Sequence, residues 1–199
     1  MPFADELSPV VLVPHRDTWA SDFLVIASSL RDLDLADEGV IEHVGSTAVA
    51  GLMAKDVIDV QIRLWEIDED FVVHRFESAD YRRRPESWNN VEVTRSGPEM
   101  KLVFAPAIGA RRSNVHVRRH GSRGARDTLL FRDFLKANEA QRDAWDAFKR
   151  SILEGGEEVD LMTYGQAKQP AWKSLMSRAD DWEQQQMWEP DPLVKWSRR

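Results

Sequence analysis

The 199-residue sequence contains no cysteine. Disulfides, thiolate metal sites and cysteine nucleophiles are excluded together, and a reducing compartment is the fitting environment. Long hydrophobic runs are missing too: none approaches the roughly 18 residues of a membrane span. The opening stretch, MPFADELSPVVLVPH, has early acids and no basic start. That pattern is not a signal peptide, so a cytoplasmic protein with no membrane partner is expected. Repeats and low-complexity segments are also absent. What is there, 42% hydrophobic and 31% charged residues, is the profile of an ordinary folded chain. The length suits one sizeable core, because domains typically run to about 100–150 residues.

Positive charge is outnumbered overall, 27 lysines and arginines against 34 acids, and it is unevenly spread. The net charge is −7, yet residues 81–126 hold ten arginines and one lysine against three glutamates. That is a local +8, leaving −15 for the remainder. Such an excess either forms a solvated basic surface or focuses a positive potential on an anion such as phosphate, nucleotide or nucleic acid. The stretch lacks interleaved aromatics and any nucleic-acid motif, so nucleic acid is the weakest of these partners.

Periodicity divides the chain into elements. Trp19, Phe23, Ile26, Leu30 and Leu33 recur at spacings of 4, 3, 4 and 3, one apolar stripe of a helix that Asp17 is placed to cap. Residues 40–44 and 57–64 read as strands. Between them lie Gly45-Ser46 and a short helix over 47–54. Residues 68–78 read as a helix. Strands follow over 91–95, 102–107 and 114–120, with Pro98 and Gly109 as turns. Beyond Gly121 the pattern turns helical. One helix carries Leu129 to Leu135 and another Ala144 to Leu153. After the Gly155-Gly156 break a last helix is expected over about 158–178.

The predicted architecture is α/β (α+β): a small mixed sheet with helices on one face and a helical C-terminal cap. The sheet core covers about 1–120 and the cap about 121–178. An extension over 179–199 carries Trp182, Trp188 and Trp196, which suit packing on the body or on a partner.

The most informative stretch is Ile41-Glu42-His43-Val44-Gly45-Ser46, followed by Asp59-Val60-Gln61-Ile62. Gly-Ser between a strand and a helix presents backbone N–H groups to a phosphate, and glycine permits close approach. A carboxylate on the adjacent strand, Asp59, is placed to hold Mg²⁺ beside that phosphate. Strand alternation sorts the neighbours. Asp59, Gln61 and Arg63 share one face, with Ile58, Val60, Ile62 and Leu64 on the other. Asn114, His116, Arg118 and His120 likewise oppose Val115 and Val117. Asp59, Gln61, His116 and Arg118 are therefore expected to converge on a cleft, unless both polar faces simply meet water.

The arrangement resembles the nucleotidyltransferase signature: a hydrophobic residue, Gly, Gly or Ser, a gap of about a dozen residues, then Asp, hydrophobic, Asp or Glu, hydrophobic. Gln61 stands where the second carboxylate belongs, and two-metal phosphoryl transfer relies on several carboxylates. The wider string is closer still to one family. His43-Val44-Gly45-Ser46-Thr47-Ala48-Val49, Gly51-Leu52, Ala54-Lys55 and Ile58-Asp59 resemble the hallmark of the GrpB family, a divergent branch of the nucleotidyltransferase fold. Asn114-Val115-His116-Val117, Phe131-Arg132-Asp133-Phe134-Leu135, Lys149, Tyr164 and Lys168 extend the resemblance from about His15 to Arg178. Ala50 and Asp56 depart from it, standing where the family usually has prolines. The resemblance implies a nucleotidyltransferase-like fold with a ligand-binding cleft. Through members fused to dephospho-coenzyme A kinase, it also implies a folding or regulatory aid as the alternative.

Each candidate residue has two readings. Gly45 and Ser46 either hold phosphate or form a plain capped turn. Asp59 is either a catalytic metal ligand for Mg²⁺ or Mn²⁺, or a structural carboxylate paired with Lys55 or Arg118. His116 is either a ligand or general base, or a hydrogen-bonded structural histidine. Lys55 either contacts phosphate or is a solvated loop lysine, and Arg118 either joins it at the phosphate or pairs with Asp59. His43 steadies the Gly-Ser loop. Tyr164 and Lys168, four apart on one helix face, either reach the cleft or pack on the sheet rim. The function expected is binding of a nucleotide or phosphorylated metabolite, with metal-dependent nucleotidyl transfer left open. The alternative is a non-catalytic module that binds a partner protein.

Overall fold

Runs of β-branched residues build the sheet, and helices with one apolar stripe cover it. The computed structural model describes residues 3–6, 8–36, 38–84, 86–155 and 158–195. Among these, seven strands form one mixed sheet. They are β1 (Glu38–Val44), β2 (Ile58–Leu64), β3 (Arg82–Arg83), β4 (Val91–Thr94), β5 (Gly97–Ala105), β6 (Ser113–Arg119) and β7 (Val194–Lys195). The order across the sheet is β3-β5-β6-β2-β1-β7, with β4 paired to the start of β5. The central pair, β2 and β6, runs parallel. The helices are α1 (Thr18–Arg31), α2 (Glu69–Glu77), α3 (Arg123–Ala137), α4 (Glu139–Ser151), α5 (Leu161–Ala167) and α6 (Gln169–Gln186). None is long and apolar enough to cross a membrane.

The expected mixed sheet with helices on one face and a helical C-terminal cap is the one observed. Helices α1 and α2 cover the apolar face of the sheet. Trp19, Leu30 and Phe76 pack there on Ile58, Val60, Ile62, Leu64, Phe104, Val115 and Val117. Phe76 stacks on Phe104 with ring centroids 3.8 Å apart. Each aliphatic side chain so buried contributes ~1.5–3 kcal/mol relative to exposure. Helices α3, α4 and α6 form the cap around a second core. Leu130, Phe134, Trp145, Leu175, Met176 and Ala179 meet there, with Val49 and Leu52 from the β1–β2 connection. Capping sets the starts of three helices. Asp68 accepts from the Phe71 N–H, Ser122 from Ala125, and Asp160 from Met162 and Thr163, each satisfying an N–H that the helix leaves open.

Four expectations change. Asp17 stands at the start of α1, but its backbone is already helical and its side chain makes no cap bond. The helix expected over 47–54 is a single 3-10 turn, Ser46–Ala48, after which the chain leaves helical geometry at Val49. Pro98 lies inside β5 opposite Val93, and residues 95–96 make the turn. The last helix is two: α5 ends at Ala167, and α6 restarts with Pro170 in its first turn and runs past Arg178 to Gln186. Proline disfavours helix in the residue before it yet suits a helix's first positions. The tail is therefore part of the body. Trp182 and Trp188 pack against the cap core, and Arg63 donates to the Asp191 carbonyl at 2.6 Å. Trp196 lies outside the described residues.

The basic middle is neither a bare surface nor a free anion patch. Most of its arginines meet carboxylates from elsewhere in the chain. Arg84 pairs with Glu6 and Arg83 with Glu69. Arg111 pairs with Asp22 and Asp56. Arg95 and Arg123 reach Asp127 and Asp180, and Arg126 reaches Glu183. The local +8 and the distributed −15 thus interlock, tying the sheet to α1, α2 and the cap.

Candidate functional site

Strand pairing lays out the polar face of the sheet in rows. Asp59 stands between Val44 of β1 and Asn114 of β6, Gln61 between Glu42 and His116, and Arg63 between Val40 and Arg118. In the first row Asn114 donates its Nδ2 hydrogen to Asp59 Oδ1 at 3.1 Å. Gly45 follows β1 at φ 71° and ψ −171°, a region only glycine occupies readily. A Cβ there would stand 2.5 Å from Asp59 Oδ2. The backbone of the Gly45-Ser46 turn therefore lies directly against the carboxylate. His43 holds this turn from the other side, hydrogen-bonded to Thr47 Oγ1 at 2.9 Å and stacked on Phe23. Burial, with Lys136 and Arg132 nearby, pushes its pKa down to about 4.

The second and third rows are closed. Gln61 is fully buried. Its amide donates to Glu42 Oε2 at 3.3 Å and to the Ala125 carbonyl of α3 at 3.2 Å, and its oxygen accepts from Arg118 at 3.0 Å. Glu42 also takes two hydrogen bonds from Arg63, at 2.9 and 2.7 Å. Arg118 forks onto Glu92 at 2.7 and 3.0 Å. The first turn of α3 rests on that pair, so closely that a Cβ at Gly124 would run into the Glu92 carboxylate. The expected four-residue convergence therefore divides. Asp59 borders the open end, whereas Gln61 and Arg118 lie beneath α3. The Arg118 guanidinium, expected at the phosphate, is engaged by Glu92 and Gln61.

His116 sits beside Gln61 with its Nδ1 buried and without a hydrogen-bond partner among the described residues. Burial, then Arg118, Lys101 and Arg84, hold its pKa well below the usual histidine range. It is a neutral imidazole at pH 7.

Two lysines from different elements feel the Asp59 charge. Lys55 comes from the loop before β2 and Lys168 from the junction of α5 and α6. Burial is the main cause that lowers both pKa values. Lys168 is pushed down to about 8, with Lys55 and Lys149 lowering it further and Asp59 opposing them. Asp59 also supports the charge on Lys55, while Arg112 and Arg84 repel it. The Lys168 ammonium stands 4.5 Å over the ring of buried Tyr164, a cation–π arrangement. The loop carrying Lys55 is clamped to α4. The Met53 N–H donates to Asp146 Oδ1 at 2.9 Å, and Lys149 donates to the Met53 carbonyl.

These surroundings do not fit the expected metal centre. One oxygen of Asp59 is occupied by Asn114, and the position two residues on is a buried amide rather than a carboxylate. The charged groups felt at that end are chiefly cations. No group of three His, Asp or Glu side chains suited to a metal ion occurs among the described residues. A broad surface cavity of about 780 Å³ opens at the far end of the sheet, lined by Trp65, Pro98, Met100, Arg119 and His120 among others. None of the candidate residues lines it.

The GrpB protein family model matches residues 9–178. The chain belongs to the GrpB family. A dephospho-CoA kinase of Mycolicibacterium paratuberculosis is 33% identical over 214 residues, covering 96% of this chain and 52% of that protein. A UPF0157 protein of Streptomyces coelicolor is 31% identical over 176 residues, covering 87% and 86%. The crystal structure of conserved protein GrpB from Enterococcus faecalis superposes with a TM-score of 0.69 at 22% identity, covering 85% of this chain and 96% of that one. That likeness establishes the shared GrpB fold. The chain spans about half the length of the dephospho-CoA kinase relatives.

In this GrpB protein several residues that shape the site escaped sequence reasoning. Glu42 had a signal: it is a lone carboxylate inside a short apolar strand, on the face shared with Gln61. Glu92 and Asp146 had none, because their partners Arg118 and Met53 lie 26 and 93 residues away, and Lys149 was singled out only through the family resemblance.

Proposed function

We propose that this GrpB protein binds a nucleotide or phosphorylated metabolite at the Asp59 end of its sheet. The phosphate lies against the Gly45-Ser46 turn, between Lys55 and Lys168. One observation carries the reading. A glycine at restricted φ and ψ opens the backbone beside Asp59, and the Asp59 carboxylate favours the charge on two partly buried lysines from separate elements, Lys55 and Lys168. Buried ammonium groups that repel one another are stabilised by an arriving anion. Asp59 orients the lysines, and His116 serves as a neutral hydrogen-bonding group deeper in the sheet.

A thermal-shift titration with nucleoside mono-, di- and triphosphates and coenzyme A precursors tests this. A ligand that binds only the folded chain raises the midpoint by mass action. At least one phosphorylated compound should do so, and Lys55→Met should abolish the shift. No shift with any member of the panel defeats the reading.

A second reading is a cytoplasmic accessory module that binds a protein partner. Two observations favour it: Gln61 is closed over by α3, and the dephospho-CoA kinase relatives are about twice as long as the aligned region. Stable association with a separately produced dephospho-coenzyme A kinase domain, indifferent to Lys55→Met, would support it over the first.

A further inference from the structure

The two central strands release the chain to opposite sides of the sheet. Strands β2 and β6 run parallel and end on the same row, with Leu64 paired to Arg119. From β2 the chain passes to α2, whose Phe76 packs on the apolar face. From β6 it enters α3, whose Ala125 carbonyl meets Gln61 on the polar face. Such a divergence opens a crevice beyond the carboxyl ends of the strands, the place where open α/β sheets take their ligands. The crevice here is the cavity of about 780 Å³, lined by residues 65–67 after β2 and 119–122 at the end of β6. That volume suits a small molecule. Asp59 lies at the other end of β2.

Trp65 is 54% exposed in this cavity, yet it is held in place. Its indole N–H donates to Glu38 Oε2 at 3.2 Å, and the His120 ring meets it edge-on at 4.4 Å. Pro98 and half-exposed Met100 continue the apolar wall. Arg119 and Glu66 line the same cavity, but neither is in an ion pair with the other or with any described residue. The further acid, Glu99, is already taken by the Arg123 and Gly124 N–H groups, each at 2.8 Å. His120 faces Arg63 through Nδ1 at 3.3 Å. A guanidinium only donates, so Nδ1 accepts and the imidazole hydrogen sits on Nε2.

We propose that this cavity binds a small aromatic zwitterion of the α-amino-acid type, with its ring on Trp65 and Met100, its carboxylate on Arg119 and its ammonium on Glu66. An unpaired cation and an unpaired anion beside one apolar wall ask a ligand for a ring and for both charges. Arg119 supplies a planar fork of donors that matches a carboxylate, and the Trp65 ring supplies a stacking surface. The cavity is separate from the Asp59 end, and its ligand is independent of the one proposed there.

A proton–nitrogen NMR titration of the full chain at pH 7 tests this through the Trp65 indole N–H signal, which Trp65→Phe assigns. The probes are L-phenylalanine, 3-phenylpropionate without the ammonium, phenethylamine without the carboxylate, and L-alanine without the ring. L-Phenylalanine should shift the signal saturably. It should bind about tenfold or more tightly than each of the other three, the range for one charged hydrogen bond. Arg119→Met should erase the advantage over phenethylamine, and Glu66→Gln the advantage over 3-phenylpropionate. Both positions are exposed, and thermal melts check that each variant keeps the fold. No saturable shift with L-phenylalanine overturns the proposal. So does any of the three analogues binding as tightly, or an advantage that survives both substitutions.

Discussion

Gly45 and Asp59 meet with no room for a side chain between them. A Cβ at Gly45 would stand 2.5 Å from Asp59 Oδ2, on a backbone at φ 71°. Gly45→Ala must therefore accept both a strained conformation and a steric conflict. Together these should cost about 3 kcal/mol of stability. Urea unfolding reads the loss, and a variant as stable as the parent would mean that the turn can swing away from Asp59.

Gln61→Glu restores the carboxylate that the nucleotidyltransferase signature calls for. Because the new group faces Glu42 Oε2 and the Ala125 carbonyl, both former hydrogen-bond acceptors, it should destabilise by about 2–4 kcal/mol despite the nearby Arg118. It should also confer no Mn²⁺ affinity in isothermal titration. A stable Gln61→Glu protein that binds Mn²⁺ would show that α3 yields and that a two-carboxylate centre can be built there.

Lys149→Met removes one side of the Met53 clamp. Lys149 is 2% exposed, and its loss leaves the Met53 carbonyl without its donor and the Asp146 carboxylate with only the Met53 N–H and Arg150. The expected cost is about 1–3 kcal/mol. Amide hydrogen exchange over residues 52–56 should accelerate more than elsewhere, since this loop depends on α4 for its order. Uniform acceleration would assign Lys149 to global stability alone.

His43 makes stability depend on pH. Its pKa falls from 6.5 in the open chain to about 4 in the fold. On acidification the unfolded chain takes up the proton first. The contribution is fully present above pH 6.5 and is lost as pH falls toward 4. It amounts to about 1–3 kcal/mol once partial exposure is discounted. The stability difference between the parent and His43→Gln should therefore shrink by that amount between pH 7 and pH 4.5. A difference that stays constant with pH would place the effect in packing against Phe23 rather than in proton linkage.

Local patterns made the architecture legible. The stripe from Trp19 to Leu33 and the alternation in β2 and β6 each sort residues by a short period, and the structure keeps those faces. Breaks that depend on one residue's geometry were harder to place. Pro170 splits the last helix where periodicity alone runs through, and the hairpin turn falls at 95–96 rather than at Pro98. The site was legible in its residues and not in its closure. Asp59 and Gln61 alternate onto the same face, yet only the docking of α3, through the Ala125 carbonyl, separates an open end from a sealed one. The arginine-rich middle misleads in the same way. Its charge count is local, but the carboxylates that answer it, such as Asp22, Asp180 and Glu183, are spread through the chain.

Strand β1 would be the margin of the sheet were it not for β7. Two residues pair there, with Val194 opposite Gly39 and Lys195 opposite Glu38. Arg63 secures the approach through the Asp191 carbonyl. Bare strand margins recruit other chains, and proteins commonly cover them. The C-terminal segment thus acts as a guard against self-association. Shortening the chain before Asp191 should turn a well-behaved solution into one whose light scattering grows with protein concentration, even where the cap core survives.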